Sequence, residues 1–358
     1  MRKWVVGLVV AAAAVAAATT AGAGAAPSLT KVTLQLKWVP QAQFAGYYAA
    51  QDLGYYKAAG LDVTLKNGGP NIIPEQVVAS GQAQIGVDWL PSLLAARDKG
   101  TDLVNIAQVF ARSGMTQLTW KSSGITQISQ MKGKKVANWL GGNQYELFAA
   151  LTKAGINPNN PKDVTIVQQP FDMNLFLKHQ VDSASAMTYN ELAQVYESGV
   201  KPSQINVIKM QDAGTGMLED GMFATGSWLK SPANQAIAAK VIGASLAGWI
   251  YCRDHVAQCV QFTLKAGPTL GKAHQTWMMN QINELIWPNT SGIGIMNTAD
   301  FNRTASISKQ FGVIKKAPSG AYRTDLAEEA VAGLKKQGQD VFGKSYKPLV
   351  VKIVPGGK

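Results

Sequence analysis

Val32-Thr-Leu-Gln-Leu-Lys37 sets how the rest of the chain reads. Apolar and polar side chains alternate along it, with the period of a half-buried strand. Residues 44–52 follow with helical spacing, stopping at Gly54 and again near Gly60. Leu61-Asp-Val-Thr-Leu65 returns to the strand period. Pro74 suits a first helical position, and that helix is expected to reach about Ser80. Ile85-Gly-Val87 reads as a short buried strand, residues 91–99 as a helix and residues 103–110 as strand. Strands alternating with helices imply a mostly parallel sheet covered by helices.

The rhythm restarts near residue 119. Residues 135–139 read as strand and Gly141-Gly142 as a turn. Asn143, with Glu146 three positions on, predicts a reciprocally capped helix running to Lys153. Residues 164–167 are strand, Asp172 caps a helix to Lys178, and residues 184–187 are strand. A helix over residues 190–197 and a strand over residues 205–208 complete the set. After Gly221-Met-Phe-Ala-Thr225 the chain is mostly helical, from Ser231-Pro232 to about Gln337. The expected fold class is α/β, two lobes with a helical C-terminal return. Lobe I takes residues 29–118 plus 224–345, lobe II residues 119–223, and residues 346–358 form a tail. The chain would cross near residues 115–120 and 222–227, as in a two-lobe clamp. Two tandem domains are the alternative.

Residues 1–25 have the pattern of a secretion signal peptide. Arg2 and Lys3 are followed by an uncharged apolar run, and Ala23-Gly24-Ala25 fits a cleavage site after Ala25. The mature chain is then expected in the periplasm, and no later stretch reads as a membrane span. Removing Arg2 and Lys3 lowers the formal charge from +12 to +10. The basic residues are scattered, not gathered into a stripe with interleaved aromatics, so nucleic acid is not an expected partner. There are two cysteines, Cys252 and Cys259. In one straight helix they would stand about 10.5 Å apart along the axis, beyond the reach of a disulfide. A break at Arg253-Asp254-His255, with Asp254 capping the next helix, would bring them together. An oxidising compartment favours the pair; two separate core residues are the alternative.

Three tryptophans fall at strand ends: Trp38, Trp89 and Trp139. Ligands of open parallel sheets bind outside the carboxyl ends of the strands. Indoles there offer flat apolar faces with a polar handle, so the expected cargo is a small, flat, conjugated molecule. Polar neighbours could form directed hydrogen bonds to ring nitrogens, amines and carbonyls. The candidates are Gln41, Gln43, Asp88, Asn143, Tyr189, Asn190, Glu191, Glu219 and Asp220, with Phe44 beside them. The three histidines, His179, His255 and His274, have no ligand-like spacing, so no metal site and no cofactor is expected. Ser129-Gln-Met-Lys132 and Ser306-Ile-Ser-Lys309 match S-x-x-K, but the companion elements of that chemistry are missing. No phosphate loop, G-x-G-x-x-G or H-E-x-x-H occurs.

Leu36-Lys-Trp-Val-Pro-Gln-Ala-Gln-Phe-Ala-Gly-Tyr-Tyr48, Gly54-Tyr-Tyr-Lys57 and Gly60-Leu-Asp-Val63 resemble the opening of periplasmic solute-binding proteins related to thiamine-pyrimidine binders. Val78-Ala-Ser-Gly-Gln-Ala-Gln-Ile-Gly-Val87 and Lys178-His-Gln-Val-Asp-Ser-Ala184 resemble two further blocks of the same family. The resemblance implies the type II periplasmic binding fold and service to an ABC importer whose permease lies in the inner membrane. It also implies a ligand among pyrimidine precursors of thiamine, riboflavin, and alkanesulfonates or taurine. In the pyrimidine binders a W-x-P-N-x-x-H-like block lines the cleft. Trp38 and Pro40 match it, Gln41 stands in place of Asn and Phe44 in place of His. An aromatic residue at 44 would suit a larger ring system such as a flavin. A related branch consists of iron-using pyrimidine synthases with a cysteine-rich motif, which this chain lacks. The expectation is therefore a monomeric, non-catalytic binder of an aromatic N-heterocycle. The alternatives are a sulfonate binder, whose pocket would be rich in Arg and helix N-termini with the tryptophans elsewhere, and a synthase-like enzyme.

Overall fold

The computed structural model of the chain describes residues 28–358, and the expected leader lies outside them. The first half builds β1 (Thr30–Gln35), α1 (Ala45–Asp52), α2 (Tyr55–Ala58), β2 (Leu61–Lys66), α3 (Pro74–Ala79), β3 (Ile85–Trp89), α4 (Leu90–Asp98) and β4 (Leu103–Gln108). A second series follows: β5 (Met115–Trp120), β6 (Lys135–Asn138), α5 (Tyr145–Lys153), β7 (Thr165–Gln168), α6 (Asn174–Leu177), β8 (Ser183–Met187), α7 (Glu191–Glu197) and β9 (Ile205–Lys209). The return consists of β10 (Asp220–Thr225), α8 (Pro232–Asp254), α9 (Val256–Ala266), α10 (Lys272–Ile286), α11 (Thr298–Gln310) and α12 (Asp325–Lys336).

Two five-stranded sheets result, ordered β2-β1-β3-β10-β4 and β7-β6-β8-β5-β9. In each, three strands are parallel around a central first strand, β1 or β6. Each is mixed, because one strand runs antiparallel to both of its neighbours: β10 against β3 and β4, and β5 against β8 and β9. The expected crossings shift accordingly. Residues 115–120 and 222–225 are paired strand, so the chain changes sheets over residues 109–114 and 210–219. Ladder hydrogen bonds hold the flanking strands in register, and the stretches between them cross, tied to the sheets where Val109 N and Phe110 N donate to Asp220 O and Met210 N to Met115 O.

The return helices cover the first sheet. α8 packs on α1 and α12 at a close approach that two glycines permit. A Cβ at Gly248 would lie 2.0 Å from Gly46 O, and one at Gly46 would lie 2.2 Å from the Trp249 ring. Trp249 is fully buried, with Tyr47 and Phe110 edge-on to it. By length and hydropathy alone α8 could cross a membrane, which the sequence reading did not anticipate; most of it is buried among the other helices.

Cys252 and Cys259 are bonded, with their Cα atoms 5.5 Å apart. The helix break that allows this is at His255, between α8 and α9. Asp254 does not cap α9 as expected; it pairs with the buried Arg253, which lies over the Trp287 ring. Replacing both cysteines with serine is expected to lower stability by about 2–3 kcal/mol, from the short loop the bond closes. Urea unfolding of the double variant against the wild type measures it.

Candidate ligand-binding cleft

The carboxyl ends of β1, β3 and β6 face one another across the gap between the sheets. Trp38 lies just beyond β1, Trp89 ends β3 and Trp139 directly follows β6. All three line one small inner cavity of about 30 Å³. Its wall also includes Gln41, Asn143, Tyr189, Asn190 and Glu191 from the sequence-based candidates. The cavity opens toward a larger mouth of about 780 Å³, and the two share Lys37, Trp38, Trp139, Asn143 and Phe171. The gap is bridged in several places. The Trp38 and Phe171 rings meet edge-on at 4.7 Å, and Ser92 Oγ donates to Gly142 O at 3.0 Å. Trp277 Nε1 on α10 donates to Thr188 O at 3.0 Å.

Behind the indoles lies a layer of buried charge. Lys37 pairs with Asp88 and stands 4.9 Å from the centre of the Trp89 ring. Asp88 also accepts from Trp89 N at 2.6 Å. Burial pulls the Lys37 pKa down, but Asp88, helped by Glu75 and Asp220, outweighs it and holds the ammonium charged. Glu75 sits in the first turn of α3 with Oε1 unpartnered, and burial pushes it well above the usual carboxylate range. Asp220 is pushed up to about 7 by burial, against the pull of Lys37 and Gln43. Gln43 donates to Asp220 and accepts from Gln41 Nε2 at 2.6 Å, which orients the Gln41 amide. On the opposite wall Glu191 is raised to about 7, again by burial, although it accepts from Met187 N and Asn190 Nδ2.

Three sequence candidates do not take their expected places. Phe44 lies in the core under the turn at Ala42–Phe44, whose residues are all buried. The aromatic ring at that position therefore does not reach the cleft. Glu219 is fully buried at the second crossing, where Oε1 accepts from Gly114 N at 2.7 Å. Asn143 lies one residue outside the helix start. Gln144 is the cap position of α5, and the Glu146 carboxyl turns away from Asn143 toward Ser113. Asp88 lines the mouth, committed to Lys37 and its neighbouring backbone.

Ser113, Glu146 and Glu219 form a compact group where both crossings meet α5. Ser113 Oγ is 2.7 Å from Glu146 Oε2 and 3.1 Å from Glu219 Oε1, and it accepts from Met115 N. A hydroxyl has a single proton to give, so one of the two carboxyl contacts needs a proton of its own. Burial pushes both carboxyls up: Glu219 well above the usual carboxylate range, with the Glu146 charge adding to it, and Glu146 to about 8.

Lys37, Glu75, Phe171 and Met187 escaped the sequence reading. The strand-end rule that picked out the tryptophans also reaches these four: Lys37 lies between β1 and Trp38, Met187 ends β8, Phe171 follows β7 and Glu75 opens the helix after β2.

The architecture is the periplasmic binding protein fold. The sulfonate-binding protein SsuA of Methylobacillus flagellatus superimposes with a TM-score of 0.63 at 14% identity, covering 92% of this chain and all of that one. The NMT1/THI5-like family pattern matches residues 41–258, and the chain belongs to that family. Among its relatives is the riboflavin-binding protein RibY of Chloroflexus aurantiacus, 26% identical over 52% of this chain and 53% of RibY. Another is the 4-amino-5-hydroxymethyl-2-methylpyrimidine phosphate synthase THI11 of Saccharomyces cerevisiae, 32% identical over 30% of this chain and 32% of that protein. The alignments thus span about half of the first relative and a third of the second.

Proposed function

We propose that the chain is the solute-binding component of an ABC importer and holds a small aromatic N-heterocycle between the sheets. The observation that carries this is the convergence of Trp38, Trp89 and Trp139, from both sheets, on one cavity. Flat apolar faces on several sides suit a conjugated ring. The amides of Gln41, Asn143 and Asn190 and the carboxyls of Glu191 and Glu75 supply acceptors and donors for ring nitrogens and exocyclic groups. Each sheet with its helices acts as a lobe: residues 28–108 with β10 and the return helices, and residues 115–209. The crossings serve as hinges; the inner cavity of about 30 Å³ is far below the roughly 300 Å³ or more of a ligand site, so the ring enters between Trp38 and Phe171 and holds the walls apart. The protein works in the periplasm as a monomer and hands its cargo to a membrane permease.

The composition of the wall favours this over a sulfonate. Neither cavity has an arginine on its wall; the lysines are Lys37, neutralised by Asp88, and Lys99 at the mouth. Glu75 and Glu191 are acids whose pKa burial holds up, so the wall adds no positive charge that would hold an anion. An enzyme would need a nucleophile or general base matched to a substrate. The wall has no histidine or cysteine; Ser92 donates to Gly142 O and Glu191 accepts from Met187 N and Asn190 Nδ2, so neither is paired as a nucleophile with a base. Mass spectrometry of small molecules released from protein purified without refolding tests the proposal. A pyrimidine or flavin is the expected result, and recovery of a sulfonate would overturn it.

A further inference from the structure

Asn190 occupies the cap position of α7, yet its side chain makes no cap hydrogen bond. The amide is held sideways instead. Nδ2 donates to Glu191 Oε1 at 2.7 Å, while Oδ1 faces His274 Nε2 at 2.9 Å and accepts from Gln194 Nε2 at 3.2 Å. His274 belongs to α10, on the other side of the gap, and its Nδ1 is 3.0 Å from both carboxylate oxygens of Glu197 at the end of α7. The His274 and Glu197 side chains are 13% and 10% exposed. The Pro355–Gly357 turn packs on both α7 and α10 beside them. Because the Asn190 amide is oriented by Glu191, its oxygen is the atom presented to His274. The imidazole stands between the Glu197 carboxylate and the Asn190 amide oxygen. Asn190 and Glu191 line the inner cavity, and His274 does not.

We propose that His274 is a positioning residue for the cleft: reaching from one lobe to the other, it fixes the Asn190 amide and through it the Glu191 carboxyl in the geometry that meets the ligand. This rests on the binding function proposed above. Closure of the lobes completes the relay Glu197–His274–Asn190–Glu191, so the Asn190 amide, already bonded to Glu191 and Gln194 within its own lobe, gains its anchor on the first lobe only in the closed form. The open form lacks that anchor, and ligand held only by one lobe leaves readily. His274 therefore governs release, not capture.

Stopped-flow tryptophan fluorescence with riboflavin, and separately with free 4-amino-5-hydroxymethyl-2-methylpyrimidine, tests it on the mature protein. His274→Ala is expected to raise the dissociation rate about tenfold, the scale of one lost charge-assisted hydrogen bond, with the association rate within about threefold. His274→Gln, which keeps one donor, should recover part of the slow release. The double variant His274→Ala/Asn190→Ala should release ligand no faster than Asn190→Ala alone, because both changes break the same relay. An unchanged dissociation rate in His274→Ala, or effects of the two substitutions that multiply, would overturn the role while leaving ring binding intact. Should His274→Ala fail to fold, Glu197→Gln is read in its place, and unchanged release there overturns the role equally. If neither probe binds the wild type, the heterocycle proposal falls. The relay is then read in the ligand-free protein by ¹⁵N NMR: slow solvent exchange of the His274 Nε2 proton facing Asn190 supports it, and fast exchange or no proton there overturns it.

Discussion

Trp38→Ala is expected to weaken binding of an aromatic ligand about 100- to 1,000-fold while the fold keeps its melting temperature to within about 3 °C. A stacked indole contributes about 0.5–1.5 kcal/mol beyond the area it covers. Removing on the order of 100 Å² of apolar contact adds about 2.5 kcal/mol. The sum of 3–4 kcal/mol corresponds to the stated loss. Trp38 gives the cleanest test because it is only half-buried and its ring contact is with Phe171, itself 43% exposed. Trp89 and Trp139 are both part of the core, and Trp139 Nε1 also donates to Pro170 O. Truncating either would open a core cavity costing about 3–5 kcal/mol of stability, and a loss of binding could not then be assigned to the site. Isothermal titration with riboflavin and with the hydroxymethylpyrimidine, paired with thermal melts, reads the prediction. Equal affinity in wild type and variant would remove the indole from the site.

The pattern of strands and the strand-end tryptophans could be read from the chain because both follow from periods along the backbone. β1 alternates, β3 is a short apolar run, and each is closed by an indole at the position where the sheet stops. Such features are local, and a sequence carries them directly. What stayed hidden is set by contacts distant in sequence. Glu146 looked like the reciprocal partner of Asn143, three residues away. It bonds instead to Ser113, thirty-three residues back, because the first crossing passes over the start of α5. Glu219 looked like a cleft carboxylate next to Asp220, yet the two side chains diverge: Asp220 meets Gln43, while Glu219 meets Gly114. Alternation places neighbours on opposite faces of a strand, and β10 begins at this point. Phe44 shows the opposite case. A family-based correspondence put an aromatic ring in the cleft, and the packing of the Ala42–Phe44 turn put it in the core. His274 had no recognisable spacing because its partners come from a helix across the gap, seventy-seven and eighty-four residues away.

The group that joins the crossings makes stability depend on pH in a direction opposite to that of an ordinary salt-bridged protein. Glu146 is protonated in the folded state up to about pH 8, but in the unfolded chain it ionises near 4.3. Below that value both states hold the proton, and the favourable contribution is complete. As the pH rises, the unfolded state loses its proton first, so the unfolded state binds fewer protons and stability falls. The fall continues until Glu146 itself ionises near pH 8. Its share of the slope between about pH 5 and pH 8 is about 1.4 kcal/mol per unit. Asp220 and Glu191, both raised to about 7, act in the same sense. Glu146→Gln separates these contributions. The new amide can accept from Ser113 Oγ or donate to it, so the contact between α5 and both crossings survives. The variant is expected to match the wild type near pH 5 and to exceed it increasingly by pH 8, the gap widening by about one proton's worth per unit. Urea unfolding at pH 5, 6, 7 and 8 measures this. Parallel pH profiles for the two proteins would show that Glu146 is ionised in the folded state and that the Ser113 hydroxyl bridges two carboxylates by some other arrangement. Because the same group ties the second lobe to both hinges, ionisation of Glu146 above pH 8 leaves a buried negative charge beside the Glu219 carboxyl at the point where the lobes pivot. Ligand affinity in the wild type should fall over that range, and in Glu146→Gln it should not.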